Sequence, residues 1–294
     1  MLLTLTSVAL AALALGQDID TTVSATRGDR LDISTYGGDV NIQTWSRSAV
    51  RVVASTSSRG RVEVSNVGSV VTVRTEGRRG PAPSIDLEIT APAWMRLDLS
   101  GVYTDVKVVG LQSPIAIETV QGDVDVSGGQ GNISLQSVEG TVTLRNAKGR
   151  IEVHSVNQDV IVSDVSGEIN AETVNGEISL KHVDATSLEA GSVNGDVRYD
   201  GPIHDGGRYS LTTHNGDIGL AVPAGSNASV SVSTYNGEFK SDFEVSVTQT
   251  HKGRRLSFNL GNGSAQVTLE SFQGTIHLAR PGHLDEDDDE DDHK

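Results

Sequence analysis

Thr119-Val-Gln-Gly-Asp123, Ser137-Val-Glu-Gly-Thr141, Ser155-Val-Asn-Gln-Asp159 and Thr173-Val-Asn-Gly-Glu177 are one phrase written four times, 18 residues apart. The phrase continues as Ser192-Val-Asn-Gly-Asp196, Thr213-His-Asn-Gly-Asp217, Thr234-Tyr-Asn-Gly-Glu238 and Ser271-Phe-Gln-Gly-Thr275, with an earlier copy at Thr35-Tyr-Gly-Gly-Asp39. Internal repetition at a fixed period marks a chain built from stacked units. A second glycine lies midway in several units, at Gly131, Gly149 and Gly167, so each unit divides into two segments of nine residues. After each turn come two apolar residues spaced by two: Val124/Val126, Ile133/Leu135, Val142/Leu144, Ile151/Val153, Val160/Val162, Ile169/Ala171 and Ile178/Leu180. That spacing describes a short strand with one buried face. A third apolar position follows near the next turn, as in Val138, Val156, Val165, Val174 and Val183.

Two all-β architectures could use this pattern. In an antiparallel meander each Asn-Gly closes a hairpin. In a single-chain parallel β-solenoid, or β-helix, successive coils of 18–21 residues stack so that like residues lie above one another. The solenoid accounts for more: the near-constant coil length, the Ser/Thr and Asn rows, and an aromatic content of only 4%. A thin core between sheets about 10 Å apart is filled by Val, Ile, Leu and Ala. The 18-residue period favours two sides per coil over three. The seven prolines avoid residues 115–201, which keeps the backbone donors of a strand ladder intact there.

Asn157, Asn175, Asn194, Asn215 and Asn236 then form a row at one corner, where stacked amides can hydrogen-bond coil to coil. The glycine after most of them permits positive φ. The next position is acidic (Asp123, Asp159, Glu177, Asp196, Asp217, Glu238), and like charges stacked this closely should splay into water or share cations.

Outside the clear repeats, residues 17–112 are less regular but still alternate, as in Val71-Thr-Val-Arg74 and Ile85-Asp-Leu-Glu-Ile89. This part carries 11 basic and 11 acidic side chains, against 11 and 20 for residues 113–281. Residues 2–16 are apolar or small and uncharged, and Ala14-Leu15-Gly16 precedes the polar Gln17. As a helix the stretch would cover about 22 Å, short of a hydrocarbon core of about 30 Å. Residues 1–16 are therefore read as a signal peptide rather than a buried helix. At the other end residues 282–294 hold eight consecutive acidic side chains, Asp285 to Asp292, and are read as a disordered tail. The mature chain thus comprises a β-solenoid over 17–281, without a transmembrane segment.

With Ile85-Asp-Leu-Glu-Ile-Thr-Ala-Pro-Ala-Trp-Met-Arg-Leu-Asp-Leu99 ahead of the Ser/Thr-Val-Asn-Gly-Asp/Glu units, the chain resembles the bacterial putative-adhesin family of exported β-strand-repeat proteins, a domain of unknown function. The resemblance spans about residues 30–280 and implies a β-helix-like fold, with no catalytic residues to carry over. The sequence departs from the family phrase at Gln158 and Thr141, which is expected to loosen two corners.

Chemistry is hard to find. Zero Cys excludes a disulfide framework, a thiolate metal site and a cysteine nucleophile. A net charge of −16 argues against binding a phosphate backbone, so no nucleic-acid partner is expected. There is no Gly-x-Ser-x-Gly elbow, no zinc helix and no phosphate loop. Gly128-Gly-Gln-Gly-Asn-Ile-Ser-Leu135 is similar to a calcium-binding β-roll repeat, but Ile133 stands where an Asp must ligate. His154 and His182 are read as outward-facing strand positions, not ligands. No catalytic, cofactor-binding or metal-binding residue is assigned, and no cofactor is implied. The aromatic residues Tyr36, Tyr103, Tyr199, Tyr209, Tyr235, Phe239, Phe243, Phe258 and Phe272 either cap the open ends of the core or, in the expanded coils of 202–281, form a ligand-contacting edge.

The reading is an exported, non-enzymatic β-solenoid, periplasmic or at the cell surface, that acts as an adhesin or envelope-binding module. Its partner would be an envelope polysaccharide or protein. The alternatives are a structural or envelope-stress assembly module and, third, a carbohydrate-active β-helix enzyme. The core assignment is tested by Val160→Asp, which buries a carboxylate without a partner and should cost several kcal/mol; thermal melting within a degree or two of wild type refutes it.

Overall fold

A computed structural model describes residues 19–55, 60–77, 83–246, 248–250 and 255–284; the leader at 1–16 and the acidic run 285–292 lie outside the described residues. The described chain is all-β, in a 13-stranded and a 14-stranded sheet. Each coil gives one strand to each sheet, so the coil is two-sided. In the smaller sheet Val124–Ser127 pairs in parallel with Val142–Arg145, which pairs with Val160–Ser163, then Ile178–Lys181, Val197–Asp200 and Ile218–Ala221. The larger sheet repeats this with Ile115–Gln121, Gln130–Glu139, Lys148–His154, Ser166–Glu172, Asp184–Asn194 and Arg208–Asn215.

Register follows the sequence period. Val124 faces Val142, Val142 faces Val160 and Val160 faces Ile178, each fully buried, while Ile133, Ile151 and Ile169 form the matching row opposite. The 19-residue coil is taken up by one bulge, where Gly167 pairs with Ala185 but Glu168 with Ser187. The extra residues near 201–207 loop out, and Tyr209 returns in register with Leu188.

The third apolar position divides into two groups. Val165 and Val183 are buried at the second corner. Val138, Val156 and Val174 point outward, half-buried or exposed, because the preceding Ser or Thr takes the inward direction and side chains alternate along a strand. His182 also differs from expectation. With Asn146 and Asp164 it occupies the second corner, and all three adopt left-handed φ of 53–56°, a region that Asn, Asp and His enter more readily than other side chains.

Stacking does not follow chain order at the ends. The strand Ala265–Gln273 pairs with Arg208–Asn215 on one side and Ala228–Asn236 on the other. The last copy of the repeat is thus inserted beneath the one before it. The first coil behaves likewise: Arg30–Ser34 lies between Arg96–Tyr103 and Val70–Gly77, although the latter comes between them in sequence. Outside each inverted coil the pairing becomes antiparallel, through Ala49–Ala54 and Gly60–Val67 at one end and Arg255–Leu260 at the other. The purely parallel expectation therefore holds for the middle of the molecule, while hairpins close both ends. Beyond the last coil, Asp242 receives the Arg280 amide at 3.0 Å and lies 2.9 Å from the His283 ring, and the Leu284 side chain covers Gly219. His283 and Leu284, assigned by sequence to the tail, are thus docked.

Glycine at the first corner answers mainly to space. A Cβ on Gly140 would collide with the carbonyl of Gly122 one coil away, whereas one on Gly225, in an outer loop, would meet nothing. Gly140→Ala should therefore lower stability by about 1–3 kcal/mol, as overpacking does, and Gly225→Ala should not; equal chemical-denaturation midpoints for the two variants refute this.

Candidate functional site

The first corner carries the repeated phrase, and each of its positions has a distinct task. The initial Ser or Thr is buried, and its hydroxyl donates to a carbonyl of the coil before: Ser137 to Gly122 at 3.0 Å, Ser155 to Gly140 at 3.1 Å, Thr173 to Gln158 at 2.9 Å, Ser192 to Gly176 at 2.9 Å and Thr213 to Gly195 at 2.8 Å. Gln158 does not loosen this ladder, because the acceptor is its backbone oxygen and the side chain is irrelevant to the bond. The Asn row is a chain of amides. Asn175 donates to Asn157 at 3.0 Å, Asn194 to Asn175 at 2.8 Å and Asn215 to Asn194 at 2.8 Å. Asn236 is set apart from the other four, since the inverted coil places Gln273 between it and Asn215.

The acidic row is held partly by backbone amides and partly by a shared cation, since Arg198 lies 3.2 Å from Glu177 and 3.3 Å from Asp196. One carboxylate oxygen of each of four aspartates accepts the backbone N–H at the same position of the next coil: Asp105 from Asp123, Asp123 from Thr141, Asp159 from Glu177 and Asp196 from Asp217, all at 2.8 Å. Thr141 fits because the bond it makes as donor requires only an amide. Sequence reasoning missed this role, since the partner lies a full coil away and is a backbone group. Among the described residues no three His, Asp or Glu side chains converge to hold a metal ion. Ile133, in the β-roll-like stretch, is a core residue.

The second position of the phrase is the outward one that carries apolar side chains. Val120, Val174 and Val193 face water there, and the row continues through His214 to Phe272 and Tyr235. The inverted coil brings these last three side chains together. The Phe272 ring stacks on His214 at 4.7 Å and on Tyr235 at 4.8 Å, with interplanar angles of 10° and 12°. Phe272 nevertheless remains 39% and Tyr235 47% exposed. Beside them an open trough of about 330 Å³ is lined by Thr212, Ser233 and Glu270 as well as the two rings.

The other aromatic residues divide between core and surface. Tyr199 and Tyr209 are buried, 6.0 Å apart, and donate to Val183 and Ala185 carbonyls. Burial, with lesser contributions from Tyr209 and nearby carboxylates, drives the Tyr199 phenol far above its ordinary range, so it stays protonated. Phe258 is buried, and Phe239 and Phe243 pack against the core at the end of the solenoid. Tyr36 and Tyr103 are exposed and meet edge to face at 5.5 Å near the opposite end. Titration is perturbed at few places. Burial alone would raise the Asp242 pKa, but the Arg280 amide and the rings of His277 and His283 outweigh it and hold it low.

A family model described as Toastrack DUF4097 matches residues 29–279. No functionally curated protein matches the sequence. Three solved structures are similar at low identity. A putative cell adhesion protein from Clostridium sporogenes is 9% identical, covering 90% of this chain and 99% of that one, with a TM-score of 0.23. A putative adhesin from Bacteroides fragilis is 13% identical, covering 89% and 97%, with a TM-score of 0.44. A putative lipid binding protein from Parabacteroides distasonis is 10% identical, covering 89% and 97%, with a TM-score of 0.40.

The amide row has a direct test. Asn194→Ala removes one bond to Asn175 and one from Asn215, both exposed, and should cost on the order of 1 kcal/mol; a loss as large as that of a core deletion, or none, refutes the ladder as a modest stabiliser.

Proposed function

The chain belongs to the Toastrack DUF4097 family, a family of unknown function, and from that premise we propose that it is an exported, non-enzymatic module that binds an envelope partner along its first corner. The observation that carries this reading is the stack of His214, Phe272 and Tyr235. Phe239, Phe243 and Phe258 already close the end of the core, so the stacked rings are not needed there. An exposed aromatic cluster beside a hydroxyl-lined trough is a contact surface in search of an apolar and hydroxylated partner. Export rests on the leader-like residues 2–16.

A binding role also suits the shape of the surface. The troughs lined by Glu270 and by Glu168 are open, and their carboxylates engage nearby cations, as Glu168 engages Arg150 at 2.6 Å. Catalysis by paired carboxylates asks instead for an enclosed site with perturbed acids. The partner is an envelope polysaccharide, or failing that an envelope protein.

Purified full-length chain incubated with isolated envelope polysaccharide and with envelope protein fractions tests the reading. The double variant Tyr235→Ser, Phe272→Ser should still fold, with a melting temperature lowered by the loss of the stack, because both rings lie outside the core, and should bind about tenfold more weakly, as expected on losing contact residues worth roughly 1.4 kcal/mol together. Unchanged binding by the variant overturns the assignment of the corner, and release of new reducing ends from the polysaccharide overturns the non-enzymatic reading.

A further inference from the structure

The corner repeats its chemistry once per coil, and that repeat selects among partners. Each coil advances about 4.8 Å along the axis, and each advance brings one outward side chain from the row of Val174, Val193 and His214 and one carboxamide from the row of Asn175, Asn194 and Asn215. The inner amides of the ladder, Asn175 and Asn194, each spend one N–H and one acceptor direction on their neighbours and keep a second N–H and a second lone pair for another partner. The result is an apolar strip beside a strip of alternating donors and acceptors, in step with each other.

Carboxylates flank both strips. On one side Asp123, Asp159 and Asp217 use one oxygen for the next coil's amide and retain the other. On the other side, on the outer face of the larger sheet, Glu118, Glu172 and Glu270 are exposed, with Glu172 lying 3.4 Å from the His154 ring and Glu270 3.9 Å from Arg255. Cationic side chains are few, with Lys181 and Arg198 alone between residues 151 and 207, and Arg198 is committed to Glu177 and Asp196 at 3.2 and 3.3 Å. Arg255 stands by Glu270 further along, but with 20 acidic against 11 basic side chains over residues 113–281 the repeats disfavour anionic polymers and anionic lipid surfaces. An extended peptide advances about 3.3 Å per residue and so does not set one residue on each coil.

We propose that this corner binds a linear glycan of amino sugars with free, protonated amines. Each sugar of such an extended chain spans roughly one coil, so that successive sugars meet successive coils over a short run. The C–H face of each ring lies on the apolar strip, the hydroxyls meet the spare amide groups, and the ammonium groups meet the flanking carboxylates. The proposal rests on the reading of the corner as a binding surface and adds the charge and repeat of the ligand.

Binding of the full chain to three probes tests it: a hexamer of glucosamine, the same hexamer fully N-acetylated, and a hexamer of galacturonic acid. The glucosamine hexamer should bind, the acetylated one about tenfold more weakly, which is the loss of two or three exposed ion pairs, and the galacturonate not at all. Tyr235→Ser, Phe272→Ser should weaken the first. Glu270→Gln, in the trough, should weaken it more than Glu88→Gln, which removes the same charge from the outer face of the other sheet. Equal binding of acetylated and free hexamers, lost together in the aromatic variant, overturns the cationic ligand and leaves the corner standing. Equal weakening by the two glutamate variants, or preference for galacturonate, likewise overturns the proposal. Glucosamine binding untouched by the aromatic variant overturns both.

Discussion

Everything in this molecule depends on one coil offering the next coil the same groups at the same heights. Parallel pairing with nearly constant register makes that possible, since the backbone bonds between Val142–Arg145 and Val160–Ser163 recur one coil later between Val160–Ser163 and Ile178–Lys181. The side chains of the corner then add three further ladders, each running along the axis: hydroxyl to carbonyl, amide to amide, and carboxylate to amide N–H. Individually these are bonds of about 1 kcal/mol. Their effect on register is larger than that figure suggests. A slip by one residue would move the buried Ser or Thr to the surface, drive the exposed Val inward and break every ladder at once.

A solenoid built this way has a difficulty at its ends, where an open core and unpaired parallel strands invite association. Here both ends meet it alike. The terminal coil is placed one layer in from the end, its neighbour in sequence forms the outermost layer, and an antiparallel strand is laid along that layer's edge. Insertion between two layers gives the first and last coils partners on both sides, so neither end of the described β-structure is an unsupported coil. It also requires long-range closure, because residues 228–260 intervene between coils that touch. Such non-local pairing is entropically slower to form than stacking in sequence order. The clasp of Asp242 on Arg280 and His283 holds the final turn against this assembly.

The middle of the fold was legible because its determinants are local and periodic. Apolar pairs at a spacing of two, a fixed 18-residue step and a shortage of aromatic residues follow directly from stacked, thin coils, and the Asn ladder could be read from identical letters at identical positions. The ends were not legible, for a physical reason. The phrase Ser271-Phe-Gln-Gly-Thr275 fits any coil of the stack equally well, so its letters contain nothing that says whether it stacks after or before Thr234-Tyr-Asn-Gly-Glu238. The Asp row was legible only in part, because repulsion between like charges is visible in a sequence, whereas an amide donor supplied from a coil away is not. The outward direction of this Val was not legible for a related reason: Ser and Thr look like surface residues until a carbonyl is found to receive them.

That outward position turns out to be the informative one. A structure in which every inward group is fixed by stacking can vary its chemistry only in the outward slots, and the slot after the buried Ser or Thr runs the length of the solenoid. Over the central coils it holds valine, and at the inverted end it holds His214, Phe272 and Tyr235. The inversion is what makes these three neighbours. In sequence order Tyr235 would stack on His214 and Phe272 would lie beyond both, whereas the inserted coil places Phe272 in the middle and covers both of its faces. The end closure and the aromatic cluster are therefore one feature of the topology. Whatever the strip contacts must meet the trio edge-on at Phe272 and by the remaining surfaces of its two neighbours, so recognition there depends on the row as a whole more than on any single ring.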